Sequence, residues 1–204
     1  MLKFLKKIFS GSQSKDADPV DTDVPEENVA ELLDNESGPD LEQLEKNLQK
    51  FIQFLTASLS QTEARRLWQV ARTALYETES SFEALQEVMS GDDGQRRGQW
   101  LIIQLDWKAS EEIGWQVSEI LATLNAQEQW DHDCEMEFES VPAAFQALSE
   151  WLAARELALL HFETDSDSYC AIIIKGSDVA ATKQLAEAAQ LTPYDQLDFS
   201  KRNC

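Results

Sequence analysis

The residues best equipped for chemistry in this chain are two histidines and three cysteines, set among many carboxylates. His161 and Cys170 flank the polar stretch ETDSDS, which separates the apolar runs LALLHF and YCAIIIK. If that stretch turns a hairpin in which residue 163 faces 168, His161 faces Cys170 across the two strands. A His–Cys pair is the arrangement of an activated thiol, with the imidazole taking the proton. The competing reading is a histidine satisfied within an apolar core, and no third, orienting group is evident. Within the same stretch, Glu163, Asp165 and Asp167 recur at every second position, like the opening of a calcium loop. The match then fails: Ser168 stands where such a loop has Gly, and Ile174 where it has its bidentate Glu. A polar hairpin tip is the alternative.

Two further groups have suitable chemistry. In WDHDC, Asp131, His132 and Asp133 are all residue types that ligate metals. Asp106, Lys108 and Ser110 fall where a strand gives way to a helix, and the first amides of a helix can hold an anion. No glycine-rich loop lets phosphate approach there, and Glu111 and Glu112 follow at once. Asp106 bonding local backbone and Ser110 capping the helix are the simpler roles. Taken together, Asp106, His132, His161 and Asp165 define one functional reading, a metal-dependent hydrolase. Cys134, between Asp133 and Glu135, is held from becoming a thiolate by that negative charge. Three widely spaced cysteines, Cys134, Cys170 and Cys204, have no metal-ligand spacing and fit a reducing cytosol.

The elements that must position these groups are read from periodicity. Leu41, Leu44, Leu48, Phe51 and Leu55 make a helical stripe. Ser60 with Glu63, and Ser80 with Glu83, have capping-box spacing for two more helices, and Gly91 ends the third. In WLIIQLDW, Leu101, Ile103, Leu105 and Trp107 form one apolar face of a strand. Ile113, Val117, Ile120, Leu121 and Leu124 stripe the next helix. The alternation in DCEMEFE predicts a strand whose wet face carries Glu135, Glu137 and Glu139, protecting an edge or meeting a basic partner. A helix over 141–154, the hairpin and a helix over 177–190 complete an α+β body over 40–191. It should hold a small mixed or antiparallel sheet of about three to four strands packed with about six helices. Residues 192–204 read as a C-terminal tail.

Ahead of the body lie two different segments. In residues 1–10, Lys3, Lys6 and Lys7 share one side of a helical wheel, and Leu2, Phe4, Leu5, Ile8 and Phe9 share the other. That pattern suits weak, reversible contact with an anionic membrane surface. Docking on the protein's own body, or loose pairing with the linker, are the alternatives. Residues 11–39 are acidic and rich in Gly, Ser and Pro, the composition of a disordered tether; a flexible chain of this length spans roughly 30 Å.

"LIIQLDWKASEEIGWQVSEIL", with "WLAARELALLHFETDSDSYCAIII" downstream, resembles an uncharacterised bacterial family known only as a domain of unknown function. The resemblance covers residues 41–191. It implies a bacterial cytosolic α+β protein and brings no reaction and no catalytic residues.

Charge narrows the function classes. The chain has 38 acidic against 17 basic residues, a net charge of −21. Such a surface repels nucleic acid and attracts basic proteins. No cofactor motif is present. The leading reading is therefore a cytosolic acidic binding or adaptor protein that recruits a basic protein partner, with Glu135, Glu137, Glu139 and Trp115 as candidate contacts, and that is peripheral at the inner membrane face where residues 1–10 touch lipid.

Overall fold

Three N-terminal helices form where apolar stripes and hydroxyl or carboxylate caps coincide. α1 (Leu41–Leu55) starts at Asp40, whose carboxylate accepts the Glu42 N–H. α2 (Gln61–Thr78) and α3 (Ser81–Ser90) start at Ser60 and Ser80, whose hydroxyls accept the N–H groups of Glu63 and Glu83. Each cap satisfies an amide that the first helical turn leaves unpaired. In this computed structural model the described residues are 40–126, 129–130, 138–164 and 166–203. The amphipathic segment, the linker, and Asp131, His132, Asp133, Cys134, Glu135, Glu137, Asp165 and Cys204 all lie outside them. The strand expected from DCEMEFE falls almost wholly on residues outside that set.

Among the described residues the sheet has four strands: β1 (Ile102–Asp106), β2 (Leu157–Phe162), β3 (Ser168–Lys175) and β4 (Pro193–Asp195), in the order β1-β3-β2-β4. Every neighbouring pair is antiparallel. Four more helices accompany it: α4 (Ile113–Thr123), α5 (Val141–Ala153), α6 (Val179–Ala188) and α7 (Gln196–Asn203). The fold is α+β, with an antiparallel sheet.

Both faces of the sheet are covered, which is why its strands read as nearly continuous apolar runs. Leu160, Phe162, Cys170, Ile172 and Ile174 pack into one core with α1, α2, α3 and α6. Leu159, Ala171, Ile173 and Tyr194 join a second core with α4, α5 and α7. The alternation along β2 and β3 is the period of two that sends successive side chains to opposite faces.

Several expectations need correction. The folded body continues beyond residue 191, because β4 and α7 occupy the stretch expected to be a tail. Ser110 opens a 3-10 turn (Ser110–Glu112) and donates its hydroxyl to the Phe138 carbonyl, so it does not cap a helix. Trp107 is 52% exposed and not part of the apolar face of β1, while Leu101 lies before the strand and packs into the other core. Gly91 does end α3, but in extended backbone rather than a left-handed turn.

Among the described residues other than glycine, the left-handed positions are Glu79, Asn125, Glu156 and Gln190, with φ between 54° and 59°, each just after a helix or turn. A residue with a Cβ is strained there by roughly 1–2 kcal/mol, and glycine returns part of that through the entropy of the unfolded chain. Glu79→Gly, at an exposed C-cap, is expected to raise stability by about 0.5 kcal/mol, read as a higher urea midpoint. A lower midpoint would count against the strain.

Candidate functional site

The hairpin between β2 and β3 decides the fate of the His–Cys pair. Its register pairs His161 with Ala171 and Phe162 with Cys170, one residue away from the expected alignment. A slip of one residue sends a side chain to the opposite face. His161 therefore belongs to the α5–α7 side and Cys170 to the α1–α3 side, with the sheet between them. Cys170 is buried against Met89, with 3.2 Å between the sulfurs, and burial pushes its thiol up to about 12. An activated thiol is ruled out by both position and protonation.

His161 is wholly buried. Its ring stacks on Phe199 at 4.1 Å and on Tyr194 at 5.6 Å, and meets the edge of Phe145 at 5.0 Å. Nε2 lies 2.8 Å from Gln196 Oε1. The Gln196 amide nitrogen donates to Gln146 Oε1 at 3.2 Å, so the Gln196 oxygen faces the imidazole and Nε2–H is the donor. Nδ1 is buried with no partner among the described residues. Burial, opposed by the Gln196 bond, lowers the pKa to about 4, so the ring is neutral near pH 7. It serves as a joint between β2 and the β4–α7 segment and reaches no solvent.

The tip of the same hairpin has a different character. Thr164 Oγ1 donates to the carbonyls of Ser168 at 2.7 Å and Ser166 at 3.3 Å, and the Trp107 N–H donates to the Asp167 carbonyl at 3.0 Å. These bonds hold the tip against the end of β1. α7 closes the other side, where Arg202 Nη1 donates to Glu163 Oε2 at 2.6 Å and its guanidinium lies 4.5 Å from the Tyr194 ring centre. The result is an open cleft of about 560 Å³ between Trp107, the hairpin tip and α7. Asp167 contributes to it, and Asp165 lies outside the described residues. Asp106 does not: its carboxylate accepts the Lys108 N–H at 3.0 Å, a local turn. Lys108 places its Nζ 4.4 Å from the centre of the Trp107 ring. Among the described residues, no three His, Cys, Asp or Glu side chains converge as a metal site requires.

A second concavity, about 550 Å³, runs along α2 beside the turn that follows α3. Val70, Thr73 and Ala74 line it with Glu77, Glu87, Asp92 and Asp93. Arg66 also borders it, but its guanidinium is already committed. It forks onto the Glu63 carboxylate and donates to the carbonyls of Asp93 and Gly94, which pins the turn in place. Nothing in the sequence periodicity marked this groove, since its acids come from three separate segments. Trp115 stands elsewhere, edge-on to Trp100 at 5.0 Å, with the Arg97 guanidinium 3.6 Å from its ring centre and its indole N–H donated to Glu112. Of the three glutamates named as partner contacts, Glu139 is described, and it is exposed.

These features define an α+β protein whose sheet is buried between two helical layers, with the hairpin-tip cleft and the groove beside α2 among the concavities of the described residues. Residues 27–196 match the family model described as "Domain of unknown function (DUF6630)", and the chain belongs to that family. Neither the curated proteins nor the solved structures gave a match. Among the described residues no helix is long and apolar enough to cross a membrane.

Proposed function

We propose that the body is a non-catalytic recognition module for a basic segment of a protein partner, which docks in the groove beside α2. The observation that carries this reading is an imbalance of charge in a concave site. Glu77, Glu87, Asp92 and Asp93 face the groove; against them stand Arg66, which is neutralised by Glu63, and Arg96, 4.0 Å from the Asp93 carboxylate. Val70 and Ala74 give the aliphatic stems of lysine or arginine something to cover. The net charge of −21 steers a basic partner toward the body from a distance. A metal-dependent hydrolase at Asp106, His161 and Asp165 is supported less well, because His161 is wholly buried and the Asp106 carboxylate is engaged in a local turn with the Lys108 N–H.

The reading is tested by titrating the full chain with a fluorescein-labelled lysine- and arginine-rich peptide. Affinity should fall steeply with salt. The pair Glu87→Lys with Asp92→Lys is expected to weaken binding about tenfold, or ~1.4 kcal/mol. Glu111→Lys with Glu187→Lys changes the net charge equally but lies off the groove, and should cost less than about twofold. Equal losses from the two pairs would mean a diffuse field and no site.

A further inference from the structure

The cleft at the hairpin tip has a composition that excludes two ligand classes and fits a third. Anions are disfavoured because Glu163 and Asp167 both face it. Cations are disfavoured because the seats suited to them are taken by the chain's own side chains. Arg202 fills the one made by Tyr194 and Glu163, and the Lys108 charge 4.4 Å from the Trp107 ring centre repels a further cation, while its exposed side chain can swing aside for an uncharged ring. What remains is a set of hydrogen-bonding groups of both senses. The Asp167 carboxylate forms no ion pair among the described residues, and only one guanidinium nitrogen of Arg202 bonds to Glu163. Asn203 gives its amide nitrogen to the Phe199 carbonyl at 2.9 Å, which leaves its oxygen as an acceptor. The Ser166 and Ser168 hydroxyls lie 2.8 Å apart. Beside these stands an indole that is 52% exposed, the most exposed aromatic side chain of the body among the described residues.

We propose that this cleft binds a neutral saccharide. A pyranose presents hydroxyls that both donate and accept, and so can use acceptors such as Asp167 and Asn203 together with donors such as Arg202. Its ring also has an apolar C–H face that can pack on an indole. A cleft of about 560 Å³ falls within the range that holds small ligands, with room for more than one sugar ring. Because the cleft is open and the ligand stays largely hydrated, affinity is weak, with Kd on the order of millimolar. The site is separate from the acidic groove beside α2, and the two stand or fall independently: this ligand carries no charge, so its binding is insensitive to salt.

The experiment follows the amide and indole N–H resonances of the isotope-labelled full chain by NMR. Glucose, galactose, N-acetylglucosamine and their β-1,4-linked disaccharides are the probes, with choline and inorganic phosphate as charged comparators. The expected result is a saturable shift from at least one sugar, confined to the Trp107 indole, residues 166–169 and residues 202–203. Trp107→Ala should weaken it at least tenfold, and Asp167→Asn should also weaken it, with resonances of the two cores unchanged in both variants. The proposal is overturned if no sugar gives a saturable shift, if neither substitution weakens binding, or if choline or phosphate occupies the cleft more tightly than every sugar.

Discussion

Replacing Gln95 with leucine is expected to lower the free energy of unfolding by about 3 kcal/mol, the largest single-residue effect outside the apolar core. The reason lies at the edge of β1 that no other strand pairs among the described residues. In an antiparallel strand, alternate residues turn their N–H and C=O groups away from the partner. Here Ile102 and Gln104 face away from β3, and each is served by a glutamine side chain in place of another strand. Gln95 Oε1 accepts the N–H groups of Leu101 and Ile102, both at 3.0 Å, and its amide nitrogen donates to the Ile102 carbonyl at 2.9 Å. Gln116 does the same for Gln104, accepting its N–H and donating to its carbonyl, both at 2.8 Å. Gln95 and Gln116 are 8% and 4% exposed, so water cannot readily replace them.

Leucine keeps the volume but strands three backbone groups, each worth about 1–3 kcal/mol when buried without a partner. Partial relaxation toward solvent brings the sum down to the value expected. Urea denaturation checks it: the midpoint should fall with the slope unchanged. Gln116→Leu should cost about 2 kcal/mol, since it strands two groups. Both variants should also self-associate more readily, because a bared edge is a template for pairing. A loss below about 1 kcal/mol for Gln95→Leu would mean that the edge does not depend on the amide.

This edge shows how far the sequence could be read. Helices announced themselves, because capping serines and apolar stripes are local signals that the tertiary structure had no cause to overrule. The apolar runs LALLHF and YCAIIIK were legible as strands for the same reason. Gln116 left a trace as well: it sits within the stripe Ile113-Val117-Ile120, a polar residue at a position that must be buried. Gln95, in a glycine-rich loop, left none, because its role depends on where the next strand arrives. The hairpin register also depends on a non-local choice. The polar stretch fixes that a turn occurs, but the bonds of Thr164 and the two packed faces decide its alignment, and a single step separates His161 from Cys170. β4 and α7 were hidden by shortness: a three-residue strand beginning with proline and an eight-residue polar helix carry little periodicity. Both concavities are assembled from distant segments, and what had drawn notice was confined to the hairpin tip, where Glu163, Asp167 and Ser168 were weighed against a calcium loop.

Burial of His161 leads to the second large effect, a loss of stability in mild acid. In the unfolded chain the imidazole titrates near its ordinary value of about 6.5. In the folded chain it is held at about 4, chiefly because burial penalises the charged form. Below pH 6.5 the unfolded state therefore binds a proton that the folded state refuses. The stability present above 6.5 is lost as pH falls toward 4, and no more is lost from this group below that. The full shift corresponds to roughly 3 kcal/mol, of which about 2 kcal/mol should be gone between pH 8 and pH 5. The groups packed around the ring do little to soften this. Tyr169 and Tyr194 are neutral throughout the range, with pKa values raised by burial, and Asp195 on β4 favours the charged form only slightly. Carboxylates act in a different window. The Tyr76 hydroxyl and Arg72 lower the pKa of Glu45, and Arg66 lowers that of Glu63, so their contributions fade only below the usual carboxylate range near 4.5. His161→Phe separates the two. It forfeits the Gln196 hydrogen bond at every pH, so the informative quantity is the slope and not the absolute stability. Urea midpoints measured from pH 8 to pH 5 should fall for the parent protein and stay nearly level for the variant. Parallel curves would show that His161 accepts its proton within the fold. Because the ring stacks on Phe199 and Tyr194 and bonds Gln196, the first contacts to loosen in acid should be those of the β4–α7 segment, visible as faster amide exchange there than in β3.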